Sequence, residues 1–229
     1  MNDIIKEELI RIGNELWMQG FTPANAGNFS VKLADNTLLC TATGVSKNQL
    51  TKKSIIRIDL QGNPIDENND FSPSSEIKMH IEAYKCRPDI RVVLHAHPIY
   101  ATTFASIGKD LNDNILPEAT LQLGSIPVAK YGTPSTNDLS KSIIKPLQTS
   151  DAVLLENHGV IVVAENLKMA QFKIEILEHY CHVLYNLNNL NQSKRLTDSQ
   201  VLQLIELRKS NKLPGRALIK YSNEEIQFK

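Results

Sequence analysis

At 229 residues the chain is long enough to bury a substantial core, as one large domain or two small ones. Its 41% apolar and 22% charged residues are ordinary for a soluble globular protein. Twenty-five basic residues balance twenty-five acidic ones, which argues against nucleic acid or an anionic membrane as a partner and requires any bound anion to be held by local groups.

No apolar run reaches membrane length, and no signal peptide is expected, because Met1-Asn2-Asp3 leads directly into a mixed charged helix. That helix is predicted from Asp3 to Gly20, with Ile5, Leu9, Ile12, Leu16 and Trp17 at helical spacing and Gly20 just past its end. Thr22 to Ser30 reads as a loop of small and polar residues, after which Val31-Lys32-Leu33 begins a strand. Asp35-Asn36 marks a hairpin turn into Thr37–Thr41, and Ala42 to Lys47 forms a second small-residue loop. Glycine lets backbone N–H groups approach a ligand, and Asn, Thr and Ser add short donors, so both loops suit an oxyanion; turns use the same residues for their own geometry.

A short strand is expected over Ser54–Leu60, then loops at Gly62-Asn63-Pro64 and Glu67 to Asp70. Ser72 and Pro73 look like the N-cap and first residue of a helix whose stripe is Ile77, Ile81 and Tyr84 and whose end is Arg87-Pro88. Its first turn, with Ser74 and Ser75, is a third candidate anion site. Glu76 suits a helix start on dipole grounds alone, and His80, four residues on, reads as a partly buried helix histidine.

Arg91 to Leu94 is a branched apolar run that reads as a buried strand, stopped by Pro98. His95 and His97 sit at its end, two residues apart, so both imidazoles face the same side and can reach one ion. The remaining elements are a helix at Tyr100–Ile107, loop around Leu116–Ala119, a short strand within Leu123–Ala129 and a helix at Asn137–Leu147. A strand Ala152–Leu155 runs into Glu156-Asn157-His158-Gly159 and then Val160–Val163. His158 is the candidate third ligand, since three neutral imidazoles on strand ends leave open positions for a substrate. A long helix follows from Asn166 to Leu187, on which the pairs Glu175/His179 and Glu178/His182 read as solvated helix face rather than a second metal site. A helix at Asp198–Lys209 and a mixed-charge tail close the chain. Cys40, Cys86 and Cys181, far apart in apolar company, predict reduced thiols in a cytoplasmic protein. Neither G-x-G-x-x-G, a P-loop nor G-x-S-x-G occurs.

Gly27-Asn28-Phe29-Ser30, Thr43-Gly44, Ser74-Ser75-Glu76, His95-Ala96-His97-Pro98 and Asn157-His158-Gly159 together resemble the class II aldolase/adducin superfamily, and most closely its L-fuculose-1-phosphate aldolases, over roughly residues 5–210. The resemblance implies a single three-layer α/β/α domain over 1–229 with a central, largely antiparallel sheet, the last ~20 residues forming a tail. It implies a C4 homotetramer with zinc, or another divalent ion such as Mn2+ or Co2+, in a cleft near a subunit interface. His95, His97 and His158 would bind the metal, and Glu76 would be the acid/base. Asn28, Thr43, Gly44, Ser74 and Ser75 would hold the phosphate of a small sugar-phosphate substrate, cleaved to dihydroxyacetone phosphate and an aldehyde through an enediolate.

The superfamily's aldolases also use a tyrosine as a second acid/base; Leu116-Pro117-Glu118 lacks one, which leaves Tyr131, Tyr221 or Glu118. The 4-epimerases of the superfamily usually carry Ser where this chain has Pro98, and a Tyr-Tyr-Gly-Gln run that is missing here. Its methylthioribulose-1-phosphate dehydratases match Gly20–Lys47 but differ around the third histidine, whereas aldolases for 5-deoxyribulose or methylthioribulose phosphates share the whole reaction. Adducin-like interaction domains typically lack the metal ligands present here.

Overall fold

The computed structural model describes residues 2–66, 70–192 and 194–229; Met1 and most of the expected loop at Glu67 to Asp70 lie outside them. Helix α1 (Asn2–Met18) precedes strands β1 (Asn28–Lys32), β2 (Leu38–Thr41) and β3 (Ile55–Ile58). Helix α2 (Ile77–Cys86), strand β4 (Val92–Ala96), helices α3 (Ile99–Ile107) and α4 (Pro117–Gln122) and strand β5 (Val128–Ala129) follow. Next come α5 (Asn137–Ser142), α6 (Ile144–Leu147), β6 (Ala152–Leu155), β7 (Gly159–Ala164) and the long α7 (Leu167–Asn189). Helix α8 (Asp198–Ser210) and the strands β8 (Ala217–Tyr221) and β9 (Glu224–Phe228) end the chain.

Seven strands form one sheet in the order β3-β2-β1-β4-β7-β6-β5, antiparallel throughout except for the β5–β6 pair. Side chains alternate across a strand, and both faces of this sheet are covered. Leu94, Val160 and Val162 pack in one core with Leu9 and Leu16 of α1, Phe104 of α3 and Ile174 of α7. Val93, Ile161 and Val163 face the opposite core, with Ile81 and Tyr84 of α2 and Leu139 and Leu147 of α5 and α6. The result is the expected α/β/α sandwich on a mostly antiparallel sheet, and double coverage explains why its central strands read as unbroken apolar runs.

Several expectations are corrected. β1 starts at Asn28 rather than Val31, because Asn28 to Val31 pair with His95 to Val92 of β4. α2 starts at Ile77, not at Pro73: Pro73 bridges to Ala42, Thr43 donates its N–H to Ser72 O, and Ser74 donates to Thr41 O. Those bonds tie Ser72 to Ser74 against the end of β2, so Ser74 and Ser75 lie in the turn before the helix, and the N-cap position falls to Glu76 instead of Ser72. Leu116–Ala119 is not loop; Pro117 opens α4 at the first helical position, where a missing N–H costs nothing. The segment Asn137–Leu147 splits at Ile143, since Pro146 has no N–H to give the preceding turn.

Glu178 is not solvated helix face either. It is buried, and its two carboxylate oxygens accept the N–H groups of Tyr100 and Ala101 at 2.9 and 2.8 Å, closing the N-terminus of α3. His182 instead stacks on Tyr100 with ring centroids 3.9 Å apart. The closing segment is a β8–β9 hairpin, with Ile219 packed on Val201 and Ile205 of α8. It is anchored by the buried Asp151, which accepts from Arg87 Nη2 and Lys173 Nζ, both at 2.7 Å, and from the Arg216 N–H at 3.0 Å.

Candidate metal centre and anion cleft

β4 carries the first two imidazoles to the end of the sheet. Val93 faces the α2 side, so by alternation His95 and His97 do too. His95 is fully buried and stands opposite Asn28 of β1 and Ile161 of β7. Its Nδ1 lies 2.8 Å from the Val160 carbonyl, which only accepts, so Nδ1 carries the proton and Nε2 keeps its lone pair. That lone pair faces His97 Nε2 at 3.0 Å. Two lone pairs this close repel unless a proton or a cation lies between them.

The third imidazole comes from the β6–β7 turn. Asn157 takes the left-handed conformation at φ 55°, a state Asn tolerates better than most residues. His158 N–H closes the turn on Leu155 O, and the His158 ring sits 4.7 Å from that of His95 and 5.0 Å from that of His97. Gly159 permits this approach: a β-carbon there would lie 2.5 Å from Ala96 O and 2.6 Å from His97 Cδ2. Nitrogens from all three histidines fall within 4.8 Å of one another. Burial pushes His97 down to about 3 and His158 down to about 4, so both are neutral donors at neutral pH. The buried His158 Nδ1 and Glu76 Oε1 have no hydrogen-bond partner. A small, hard-to-crowd cation fits this donor set.

Glu76 faces the triad, with Oε2 3.2 Å from His95 Nε2 and Oε1 3.3 Å from His158 Nε2. Burial alone would raise its carboxyl. Where His95 Nε2 takes up a proton in place of a cation, its hydrogen bond and charge, with the Asn28 amide and His158, outweigh that and hold the carboxyl well below the usual carboxylate range.

Beside the triad lies a cleft of ≈ 220 Å³ that brings together three loops, at 25–28, 42–44 and 74–76. All five predicted anion residues, Asn28, Thr43, Gly44, Ser74 and Ser75, line it together with Glu76, His97 and His158. Gly44 has φ 74° and open space where a side chain would stand. Ser74 is already engaged, since its Oγ accepts the Glu76 N–H at 3.3 Å. Asn28 is engaged too: its Nδ2 donates to Glu76 Oε2 at 2.9 Å.

A family model for the class II aldolase and adducin N-terminal domain matches residues 7–185. The chain belongs to the class II aldolase and adducin family. The 3-oxo-tetronate 4-phosphate decarboxylase of Haemophilus influenzae is 30% identical over 209 residues, covering 89% of this chain and 98% of that protein. The L-fuculose phosphate aldolase of Methanococcus maripaludis is 31% identical over 183 residues, covering 80% and 97%. A solved L-fuculose 1-phosphate aldolase structure superposes with a TM-score of 0.81 at 29% identity, covering 89% of this chain and 95% of that one. Class II aldolase and adducin family enzymes typically depend on a divalent metal, and the three imidazoles here could hold one.

The superfamily's second acid/base is not brought to this cleft by any of the three expected residues. Tyr131 is 55% exposed, Glu118 lies on the exposed first turn of α4, and the Tyr221 hydroxyl donates to Glu224 in a separate depression beside Arg195. Two residues that matter went unassigned in the sequence. Lys47 is 1% exposed, and its Nζ donates to Asn25 O at 3.2 Å and Val45 O at 2.8 Å, tying the first two candidate anion loops together. Burial pulls its ammonium down to about 8. Nothing in the run Val45-Ser46-Lys47 marks it as different from a surface lysine. The other is His80, which is fully buried rather than partly so.

Proposed function

We propose that this chain is a divalent-metal-dependent aldolase that cleaves a ketose 1-phosphate, of the L-fuculose 1-phosphate or 5-deoxypentulose 1-phosphate kind, to dihydroxyacetone phosphate and an aldehyde. The observation that carries this reading is the placement of Glu76. Its carboxylate lies 3.2–3.3 Å from two imidazoles of the triad and on the wall of the cleft that collects the three anion loops. A proton carrier, a cation site and an oxyanion site therefore share one small space. His95, His97 and His158 would hold the ion, zinc in this proposal. When bound, it supplies Lewis-acid stabilisation of the negative charge that develops on the carbonyl and hydroxyl oxygens.

The protein's own groups do the rest. Thr43, Gly44, Ser74 and Ser75 orient the phosphate end, and Asn28 supports them while it holds Glu76. Glu76 takes the C3 proton of dihydroxyacetone phosphate in the condensation direction and returns it in cleavage. In cleavage the C3–C4 bond breaks, its electron pair stays on C3 as the enediolate, and water takes the C4 hydroxyl proton as the aldehyde forms. We place the protein in the cytoplasm as a C4 tetramer with the cleft near a subunit interface. The exposed Ile99 and Ile107 of α3, next to His97 in sequence, give that assembly apolar surface to cover.

A second reading is favoured by the Haemophilus relative's name. 3-Oxo-tetronate 4-phosphate and a ketose 1-phosphate share the phosphate, the neighbouring carbonyl and the hydroxyl-bearing carbon. Loss of CO2 from the first and of an aldehyde from the second leave the same enediolate of dihydroxyacetone phosphate. The test is a coupled assay for dihydroxyacetone phosphate with the zinc-loaded enzyme, run on L-fuculose 1-phosphate, 5-deoxy-D-ribulose 1-phosphate and 3-oxo-tetronate 4-phosphate. Aldehyde release from a ketose 1-phosphate supports the aldolase. CO2 release alone selects the decarboxylase, and no dihydroxyacetone phosphate from any of them overturns both.

A further inference from the structure

Behind Glu76 runs a buried file of polar groups. Asn28 Nδ2 meets Glu76 Oε2 at 2.9 Å, and Asn28 Oδ1 meets His80 Nε2 at 2.6 Å. His80 Nδ1 meets Ser30 Oγ at 2.7 Å, and Ser30 Oγ meets the Tyr84 hydroxyl at 2.8 Å. Tyr84 also donates to Ser30 O at 2.9 Å. His80 and Ser30 are fully buried and Tyr84 nearly so, so water cannot replace a missing partner.

The chemistry of each atom fixes the direction of the file. A carboxylate only accepts, so the Asn28 NH2 must face Glu76 and its carbonyl must face His80. His80 Nε2 must then carry the ring proton, which leaves Nδ1 as an acceptor for the Ser30 hydroxyl. From Ser30 inward, every side-chain donor thus points toward Glu76. Burial pulls His80 down to about 3, which keeps it in this neutral form. Asn28 belongs to the first residue pair of the β1–β4 ladder, so its backbone is set by the sheet. Its amide, however, could turn over about its last bond and present the carbonyl to Glu76. The carboxylate opposes that turn from one side and the His80 N–H opposes it from the other.

We infer that His80 is a positioning residue for the reaction: it locks the Asn28 amide so that Glu76 is held by a donor and aimed at the substrate carbon. The inference rests on the role proposed above for Glu76. Removal of the Nε2 donor takes away one of the two restraints on the amide, and the carboxylate is then held less firmly, without loss of the ion.

The test uses hydrogen–deuterium exchange at C3 of dihydroxyacetone phosphate in D2O, a half-reaction common to both readings above. The probe enzyme is the zinc-loaded full chain. A Gln amide nitrogen falls near the His Nε2 position and an Asn nitrogen near Nδ1, so the two isosteres separate the donor from mere packing. His80→Asn is expected to slow exchange at least about tenfold, the scale at which partners one bond removed from a site act, while His80→Gln restores it to within about threefold. In both, zinc content and KM for dihydroxyacetone phosphate stay near those of the unsubstituted enzyme. If His80 acts through Asn28, adding His80→Asn to Asn28→Ala changes the rate by no more than about twofold.

Nitrogen-15 NMR of the metal-free protein supplies a readout besides activity and is expected to show His80 as the Nε2–H tautomer. An Nδ1–H tautomer, additive effects in the double variant, or equal loss in the Asn and Gln variants overturns the inference. Exchange abolished by Glu76→Gln yet untouched by His80→Asn overturns this inference alone, whereas exchange that survives Glu76→Gln overturns the proposed role of Glu76 and this inference with it.

Discussion

Gly159→Ala tests whether the third histidine's turn is shaped to hold the triad. The added β-carbon would lie 2.5 Å from the Ala96 carbonyl and 2.6 Å from His97 Cδ2, where ordinary contacts begin at 3.4 Å. Neither neighbour is the loose end of a flexible side chain. Ala96 belongs to β4, which is paired with β1 and β7, and the His97 ring is packed between His95 and His158. Both of them, or the turn itself, must retreat by about 0.8–0.9 Å to restore ordinary contact. A displacement of about 1 Å at a reacting centre costs on the order of 100-fold in rate. Overpacking a rigid site also costs about 1–3 kcal/mol of stability. Zinc affinity by competition with a chelator should fall about 10–100-fold, the range for disturbed ligand supports, and thermal unfolding of the metal-free protein should show the stability loss. Unchanged zinc affinity with unchanged unfolding temperature would refute the reasoning, because it would mean that the strands move apart at no cost.

Three further outcomes follow from particular groups. Lys47→Met keeps the buried stem but removes the hydrogen bonds from Nζ to Asn25 O and Val45 O; KM for a phosphorylated substrate should rise about tenfold, about 1.4 kcal/mol, with kcat little changed, as read by initial rates. Asp151→Ala strips the shared partner from two fully buried cations, Arg87 and Lys173, and should destabilise the fold by about 3–5 kcal/mol in urea unfolding. The metal-free protein should be acid-labile. His80 and His97 are lowered from 6.5 to about 3 and His158 to about 4, so below pH 6.5 the unfolded chain takes up protons that the folded one refuses. Stability is therefore full above about pH 6.5 and is lost as pH falls toward 4, with a limiting slope near 1.4 kcal/mol per pH unit for each histidine. Glu76, lowered from 4.5, adds to the loss below that value. Unfolding curves that coincide at pH 7 and pH 5 would contradict this.

The elements that were legible in the sequence are those whose signal is local. His95-Ala96-His97 followed by Pro98 marks a strand end with two side chains on one face, and the structure places both beside His158. Helix α7 was legible because its apolar stripe is long, and the structure adds an Asn166 cap that accepts the Met169 N–H. The misplaced start of α2 has the opposite cause: Ser72-Pro73 carries a strong local start signal, but the tie to Ala42 and Thr41 is tertiary and leaves no mark on spacing. Glu178 was misread for the same reason, since its partners are backbone N–H groups 77 and 78 residues away in sequence. The terminal hairpin did leave a trace. Ala217, Ile219 and Tyr221 alternate before Ser222-Asn223, and Ile226 and Phe228 alternate after it, but the charged residues between them mask the pattern.

The placement of the site follows from register more than from any one residue. Asn28 stands opposite His95, and His95 opposite Ile161, with β1 and β7 flanking β4 on either side. Because strand side chains alternate, a slip of β4 by one residue would turn His95 and His97 toward α1 and α7 and bring Leu94 and Ala96 to the α2 side, away from Glu76 and His80. The apolar neighbours oppose that slip strongly. Val93 on one face and Val92 and Leu94 on the other are all fully or nearly fully buried, and exchanging them would set two imidazoles into an apolar core without partners, at a cost of several kcal/mol. The two cores therefore do more than hold the chain together. They fix which face the histidines occupy, and so a chain with no net charge can gather three imidazoles, a carboxylate and a cleft lined by three small-residue loops at one end of its sheet.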